Sequence, residues 1–222
     1  MLGSKLAGMP YVLTVDQRGS RRAPDRVEGA LQRMAARHAA PVLAFERTAG
    51  DEFQGLLDDP AATVEIVLDL VRDGCWSIGI GVGAVELPLP LSTRAARGPA
   101  FTHARDAVGS AKRQPQGVAV RGVQQAEVAD VEAMLVLLAT VIQRRSQAAW
   151  QAVDLVESGL TLTDVAAKLG VSRQAIGQRL AAANWHQESS ARPACARLLA
   201  RADPAARARP GERFPRSFTA QR

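Results

Sequence analysis

Between Val123 and Ser158 the chain contains neither glycine nor proline. Within that stretch Val128, Val131, Leu135, Leu138 and Ile142 recur at spacings of three or four, the period of a helix with one apolar face. Upstream the text is different in kind. Short β-prone runs alternate with helical periods, and Pro24, Pro41, Gly50, Pro60 and Gly74 punctuate them. The change of pattern points to a domain boundary near residue 123. The pattern predicts an α+β domain over residues 10–122 and an all-α domain over 126–203, with a helix 126–148 connecting them. The apolar face of that helix is the expected contact of a homodimer.

The N-terminal part resolves into alternating elements. Tyr11 to Val15 is β-prone and ends in Asp16, and Gln17 to Ser20 reads as a turn. Pro24 suits the first turn of a helix carrying Val27, Leu31, Met34 and His38 on one face. Val42 to Phe45 and Phe53 to Leu57 flank the turn-like Thr48 to Glu52, a hairpin signal. Asp59-Pro60 starts a second helix and Asp73-Gly74 ends it. Trp76 to Val85 alternates glycine with aliphatic residues, Leu87 to Pro99 is a proline-containing loop, Ala100 to Arg113 is helical, and Val118 to Val120 gives a last strand. The expected order is β-α-β-β-α-β-α-β. Gly79, Gly81 and Gly83 precede Glu86-Leu87-Pro88 rather than a helix, so they read as positions of close helix packing and not as a dinucleotide loop.

The C-terminal part carries the strongest local signal, LTLTDVAAKLGVSRQAIGQRLAAANW. Thr163 is the expected cap of a helix with Asp164 in its first turn. Val165, Leu169, Val171, Ile176 and Leu180 form the seam between two helices, and Gly170 sits at the turn. Ser172 caps the second helix, which exposes Arg173, Gln174, Gly177, Gln178 and Arg179. Arg and Gln can make bidentate contacts with guanine and adenine edges, and Gly177 permits close approach. The stretch therefore predicts a helix-turn-helix for double-stranded DNA, with Thr163, Ser172, Arg173, Gln174, Gly177, Gln178 and Arg179 at the interface. A further helix is expected over Ala191 to Arg201.

Charge follows the same division. The net charge of +6 is distributed as −1 over residues 1–143, +2 over 144–186 and +5 over 187–222. A polyanionic partner suits only the C-terminal third. Residues 204–222 are rich in Pro and Arg and poor in aliphatics, and read as a disordered basic tail. Cys75 and Cys195 share no metal-ligand spacing, which suits a reducing compartment. No apolar run approaches the ~20 residues of a membrane span, so a cytoplasmic protein with no membrane contact is expected.

Thr48-Ala49-Gly50-Asp51-Glu52-Phe53 resembles the signature turn of GGDEF-type nucleotide cyclases, with Ala49 in place of the first glycine. Asp16 at a strand end lies upstream, the strand Trp76 to Gly81 downstream, and Ala104 to Lys112 resembles the late helix bearing a phosphate-binding lysine. Asp16 with Ser20-Arg21, Asp25-Arg26, Thr48 to Gln54, Gly79 to Gly83, and Gly98-Pro99-Ala100-Phe101 leading into Ala104-Arg105 resemble more closely the SatD family, a cyclase-type domain joined to a helix-turn-helix. The resemblance implies a ferredoxin-like βαββαβ domain. It also implies Mg²⁺ held by Asp16 and Asp51 with a nucleotide, and phosphates met by Gln17, Arg18, Gly19, Ser20, Arg21, Gly50, Glu52 and Lys112. Thr93, Arg94 and Arg97 lie in a loop that could close over the anion. The guanine-selecting residues of diguanylate cyclases have no equivalent where this chain has Arg18 to Arg22, so ligand binding without turnover is the expectation, in a transcription regulator. A cyclase tuned by DNA, and a DNA-binding protein whose N-terminal domain only dimerises, are the alternatives.

Overall fold

Strand β1 (Tyr11–Gln17) occupies the middle of the sheet, and its sequence explains why. Six of its seven residues are buried, which requires cover on both faces. In this computed structural model, which describes residues 10–202, β1 pairs antiparallel with β3 (Glu52–Leu57) on one side and with β4 (Trp76–Val82) on the other. Strand β2 (Leu43–Ala49) adds antiparallel to β3, and β5 (Val118–Arg121) adds parallel to β4. The order is β2-β3-β1-β4-β5. The tail expected over 204–222 lies outside the described residues.

One face of the sheet, carrying Leu13, Val15, Phe53, Ile78 and Ile80, shares a core with α1 (Val27–Arg37), α2 (Pro60–Asp73), α4 (Gln125–Gln143) and α8 (Trp185–Arg201). The other face meets α3 (Pro99–Ala111) through Val12, Leu56, Phe101 and Ala104. Glycines set how close α3 lies. A Cβ at Gly79 would stand 2.2 Å from the Val108 backbone nitrogen, and one at Gly81 2.0 Å from the Ala100 carbonyl oxygen. The close-packing expectation for these glycines holds.

The chain order of these elements, β-α-β-β-α-β-α-β followed by helices, is the order expected, a mixed α+β architecture with eight α-helices among the described residues. Several bounds differ. The hairpin strands extend to Ala49 and back to Glu52, because Gly50, at φ 51°, and Asp51 suffice for the turn. The first helix begins at Val27 rather than at Pro24, since Pro24 and Arg26 are drawn onto Gln17. Strand β4 stops at Val82.

The connecting helix expected over 126–148 is two helices. Helix α4 ends at Gln143, Ser146 accepts a hydrogen bond from the Ala149 N–H, and α5 (Gln147–Glu157) starts there. Without glycine or proline to mark it, the break is driven by burial of Arg145, which lies between. Its guanidinium donates from Nε to the Ala183 carbonyl (2.9 Å) and pairs with buried Glu188 (3.1 Å). Helix α8 also begins earlier than Ala191, at Trp185, and runs through Pro193. Its Cys195 and Leu199 sink into the core beside α2 and α4. The apolar core thus continues past residue 123, and the chain's last described helix returns to the sheet-bearing body.

Helices α5, α6 (Leu162–Leu169) and α7 (Arg173–Ala182) close a second, smaller core of Ala149, Ala152, Val153, Val165, Ala166, Ile176, Leu180 and Ala183. The cap of α6 is Thr161, not Thr163. Thr161 and Asp164 form a capping box in which each side chain meets the other's backbone N–H, the spacing that such a box requires. Gly170 takes the left-handed conformation expected of it, at φ 65°, and Ser172 caps α7 through the Ala175 N–H.

Candidate functional site

Asp16 is half-exposed at the end of β1 on the α3 face. Strand register sets Glu52 and Ser77 on either side of it. From there the chain turns through residues 18–22, and this loop walls a cleft of about 920 Å³. Asp16, Asp51, Ser77, Lys112 and Arg113 line the cleft together with the loop. The segments around 16–22, 51 and 112, singled out separately in the sequence, therefore converge on one place. The Lys112 ammonium lies 2.6 Å from the Asp16 carboxylate.

Not every expected residue faces the cleft with a free side chain. Gln17 lines it, but the side chain is buried; Nε2 donates to the Pro24 carbonyl and Oε1 accepts from the Arg26 N–H, both at 2.8 Å. Arg18 is likewise committed. Its guanidinium donates to the Gln114 and Pro115 carbonyls at 2.9 and 3.0 Å and to the Ser77 hydroxyl, so it braces the turn before β5. Gly50 and Glu52 do not line the cleft. Glu52 accepts from the Thr48 hydroxyl at 2.7 Å across the hairpin, and the Gly50 carbonyl accepts from Arg47. The loop with Thr93, Arg94 and Arg97 is pinned elsewhere, by Thr93 to the Ala44 carbonyl and by Ser92 to Glu46, each at 2.6 Å.

The remaining groups are suited to an anion. The backbone N–H groups of Gly19, Ser20 and Arg21 have no protein acceptor among the described residues, and Gly19 holds φ 68°. Successive N–H groups without acceptors in such a turn are able to receive an anion. Arg21, Arg22, Lys112 and Arg113 are exposed around it. The loop is anchored at its far end by Asp25, whose carboxyl is held below the usual carboxylate range by the Val27 N–H and then by Arg47, 2.6 Å away. Arg22, Ser77, Arg113, Gln114 and Pro115 escaped sequence reasoning. Arg22 stood in an evident run of arginines, whereas Ser77 enters only through a register that the sequence does not display.

The second surface is the outer side of α6 and α7. Ser172, Arg173, Gln174 and Gln178 are exposed, and Gly177 and Arg179 are half-buried. Ile176 and Leu180 point into the small core. Thr163 is exposed on α6, free of the capping duty expected of it. No group of three or more metal-ligating side chains occurs among the described residues, and none of their helices is long and apolar enough to cross a membrane. Comparisons with protein-family models, with curated proteins and with solved structures gave no match to this chain.

Proposed function

We propose that this chain is a DNA-binding transcription regulator of the SatD type, in which a cyclase-like domain binds a phosphorylated ligand, foremost a nucleotide. The observation that carries the DNA half is the disposition of α7. Its Arg173, Gln174 and Gln178 face solvent while Ile176 and Leu180 anchor it, so the side chains able to read base edges are free to enter a major groove. The small Gly177 lies on the same exposed half of the helix and leaves room for the duplex.

The ligand half rests on the cleft. The order β2-β3-β1-β4 with every neighbouring pair antiparallel is what a βαββαβ chain forms, and it supports the cyclase-type reading. The cleft brings unpaired N–H groups and four exposed cations to one concave surface, the equipment for phosphate oxygens. Asp16 and Asp51 fit Mg²⁺ carried in by those phosphates, since that ion takes one or two carboxylates and completes its shell elsewhere. Lys112 would then exchange its contact with Asp16 for one with phosphate. Retention of both carboxylates on the cleft favours, as a second reading, nucleotidyl transfer by the same site.

Titration of fluorescent duplex fragments at two salt concentrations tests the first half. Wild type should bind, and Arg173→Ala should lose ~1–3 kcal/mol of discrimination between a selected site and random duplex. Failure to bind any duplex at low ionic strength removes the regulator reading. Thermal shift against a nucleotide panel tests the second half, with a gain of about 2.7 kcal/mol expected at 100 times the dissociation constant. Product from labelled nucleoside triphosphates, absent in Asp51→Ala, would favour the enzyme instead.

A further inference from the structure

Helix α4 buries one apolar side, and its opposite side, small and apolar at the centre with a charge towards each end, faces no other described element. Val128, Val131, Leu135, Leu138 and Ile142 are buried against β5, α2 and α8. The opposite side bears Ala126, Asp130, Ala133, Leu137, Val141 and Arg144 in one stripe, all within about 40° of Leu137 on a helix of 3.6 residues per turn. Of these only Val141 is half-buried and the rest are exposed; Leu137 is 64% exposed, one of the few large apolar side chains so placed. Asp130 and Arg144 have no ion-pair partner among the described residues.

The stripe is complementary to itself when run backwards. Asp130 and Arg144 each stand seven residues from Leu137, and Ala133 and Val141 each stand four. An antiparallel pair of such helices centred on Leu137 sets Asp130 opposite the second copy's Arg144, twice by symmetry, with small Ala133 opposite Val141 between them. A parallel pair in register would set like charges together. We propose that α4 pairs antiparallel with α4 of a second copy of this chain, about a two-fold axis at Leu137. Such a pairing is isologous and closed. The stripe is about 27 Å long at 1.5 Å per residue, so the contact falls at the small end of stable interfaces and the dimer is concentration-dependent.

Sedimentation of the full chain, without DNA or nucleotide, tests this independently of the functional reading. Wild type should pass from monomer to dimer with concentration, and Leu137→Asp should hold it monomeric. Asp130→Arg alone and Arg144→Asp alone should each weaken dimerisation by about tenfold or more, because both symmetry-related attractions become repulsions. The double charge swap should restore association to within a few-fold of wild type. Circular dichroism should be the same for all four variants. A wild type that stays monomeric at its highest soluble concentration, as when the chain's own C-terminal residues cover α4, overturns the proposal. So does a dimer indifferent to Leu137→Asp, or single swaps that the double swap fails to rescue.

Discussion

Arg145 and Glu188 illustrate what one buried pair can dictate. Both side chains are shut off from solvent, at 1% and 0% exposure, and the Arg145 Nη1 has no hydrogen-bond partner among the described residues. Glu188 also receives Arg192 from one turn further along α8, and Arg192 reaches Glu65 of α2 at 2.7 Å. A buried pair adds little net stability, but breaking it strands a charge. Glu188→Ala should therefore lower unfolding free energy by ~3–5 kcal/mol, measured by urea denaturation. The paired replacement Arg145→Met with Glu188→Leu should recover most of the loss. A drop below ~1 kcal/mol in the single variant would mean that water replaces the carboxylate, since that is the scale of a well-solvated surface pair. Cys195 offers a companion reading at the same depth. Burial pushes its thiol up to about 12, so iodoacetamide at pH 8 should leave it unlabelled until the chain unfolds. Neither behaviour could be read from the sequence. Arg145 and Glu188 are 43 residues apart, and nothing in the text around either marks it as buried.

Elements were legible where their ends are written in local chemistry. Asp59-Pro60, Gly74, Gly170 and Ser172 each begin or end a helix by a mechanism confined to a few neighbouring residues, and each does so here. The break between α4 and α5 was not read: Ser146 offers there the same local cap as Ser172, but no glycine or proline accompanies it, and Arg145 beside it is drawn inward by distant groups. The α6 cap lies between these cases. Thr161 precedes the helix and Thr163 lies in its first turn, and only Thr161 has an acid three residues on, the spacing at which each side chain meets the other's N–H. Thr161→Ala should cost about 1 kcal/mol of the stability of the small core, within a range of ~0.5–2. Thr163→Ala, on an exposed helical position, should be neutral within ~0.5 kcal/mol. Chemical denaturation followed by Trp185 fluorescence separates the two. Equal effects would return the cap to Thr163. In the cleft, Asp16, Asp51 and Lys112 were expected from the resemblance to cyclase-type sequences, whereas the engagement of Gln17 and Arg18 depends on where Pro24, Arg26 and the 114–115 carbonyls come to lie.

At the scale of the whole molecule, the proposed function requires that the cleft and α7 be coupled. Trp150 of α5 packs against both apolar cores. The Arg72 guanidinium of α2 stacks 3.9 Å from its ring centroid and donates twice to Asp154, at 2.6 and 2.7 Å, while Arg145 lies over the ring at 4.7 Å. A groove of about 400 Å³ beside it is lined by Trp150, Arg72, Arg145, Arg18 and Pro115, and the last two also wall the candidate cleft. The groove thus lies between the cleft and α5, with Arg18 and Pro115 shared by groove and cleft. Coupling of binding at two sites is a free energy and must act equally in both directions. If this joint transmits it, Trp150→Ala should leave nucleotide affinity and DNA affinity near wild type when each is measured alone. The ratio of DNA affinities with and without nucleotide should then fall towards one, and the reciprocal ratio for nucleotide with it. Removing so large a ring also opens a cavity, at a cost of ~3–5 kcal/mol were it fully buried, so Arg72→Ala serves as the control. That variant spares both cores and removes only the stacked cation and its bond to Asp154. Loss of coupling in Trp150→Ala but not in Arg72→Ala would assign the effect to general loosening, and loss in both with each single affinity retained would place the transmission at the α2–α5 joint.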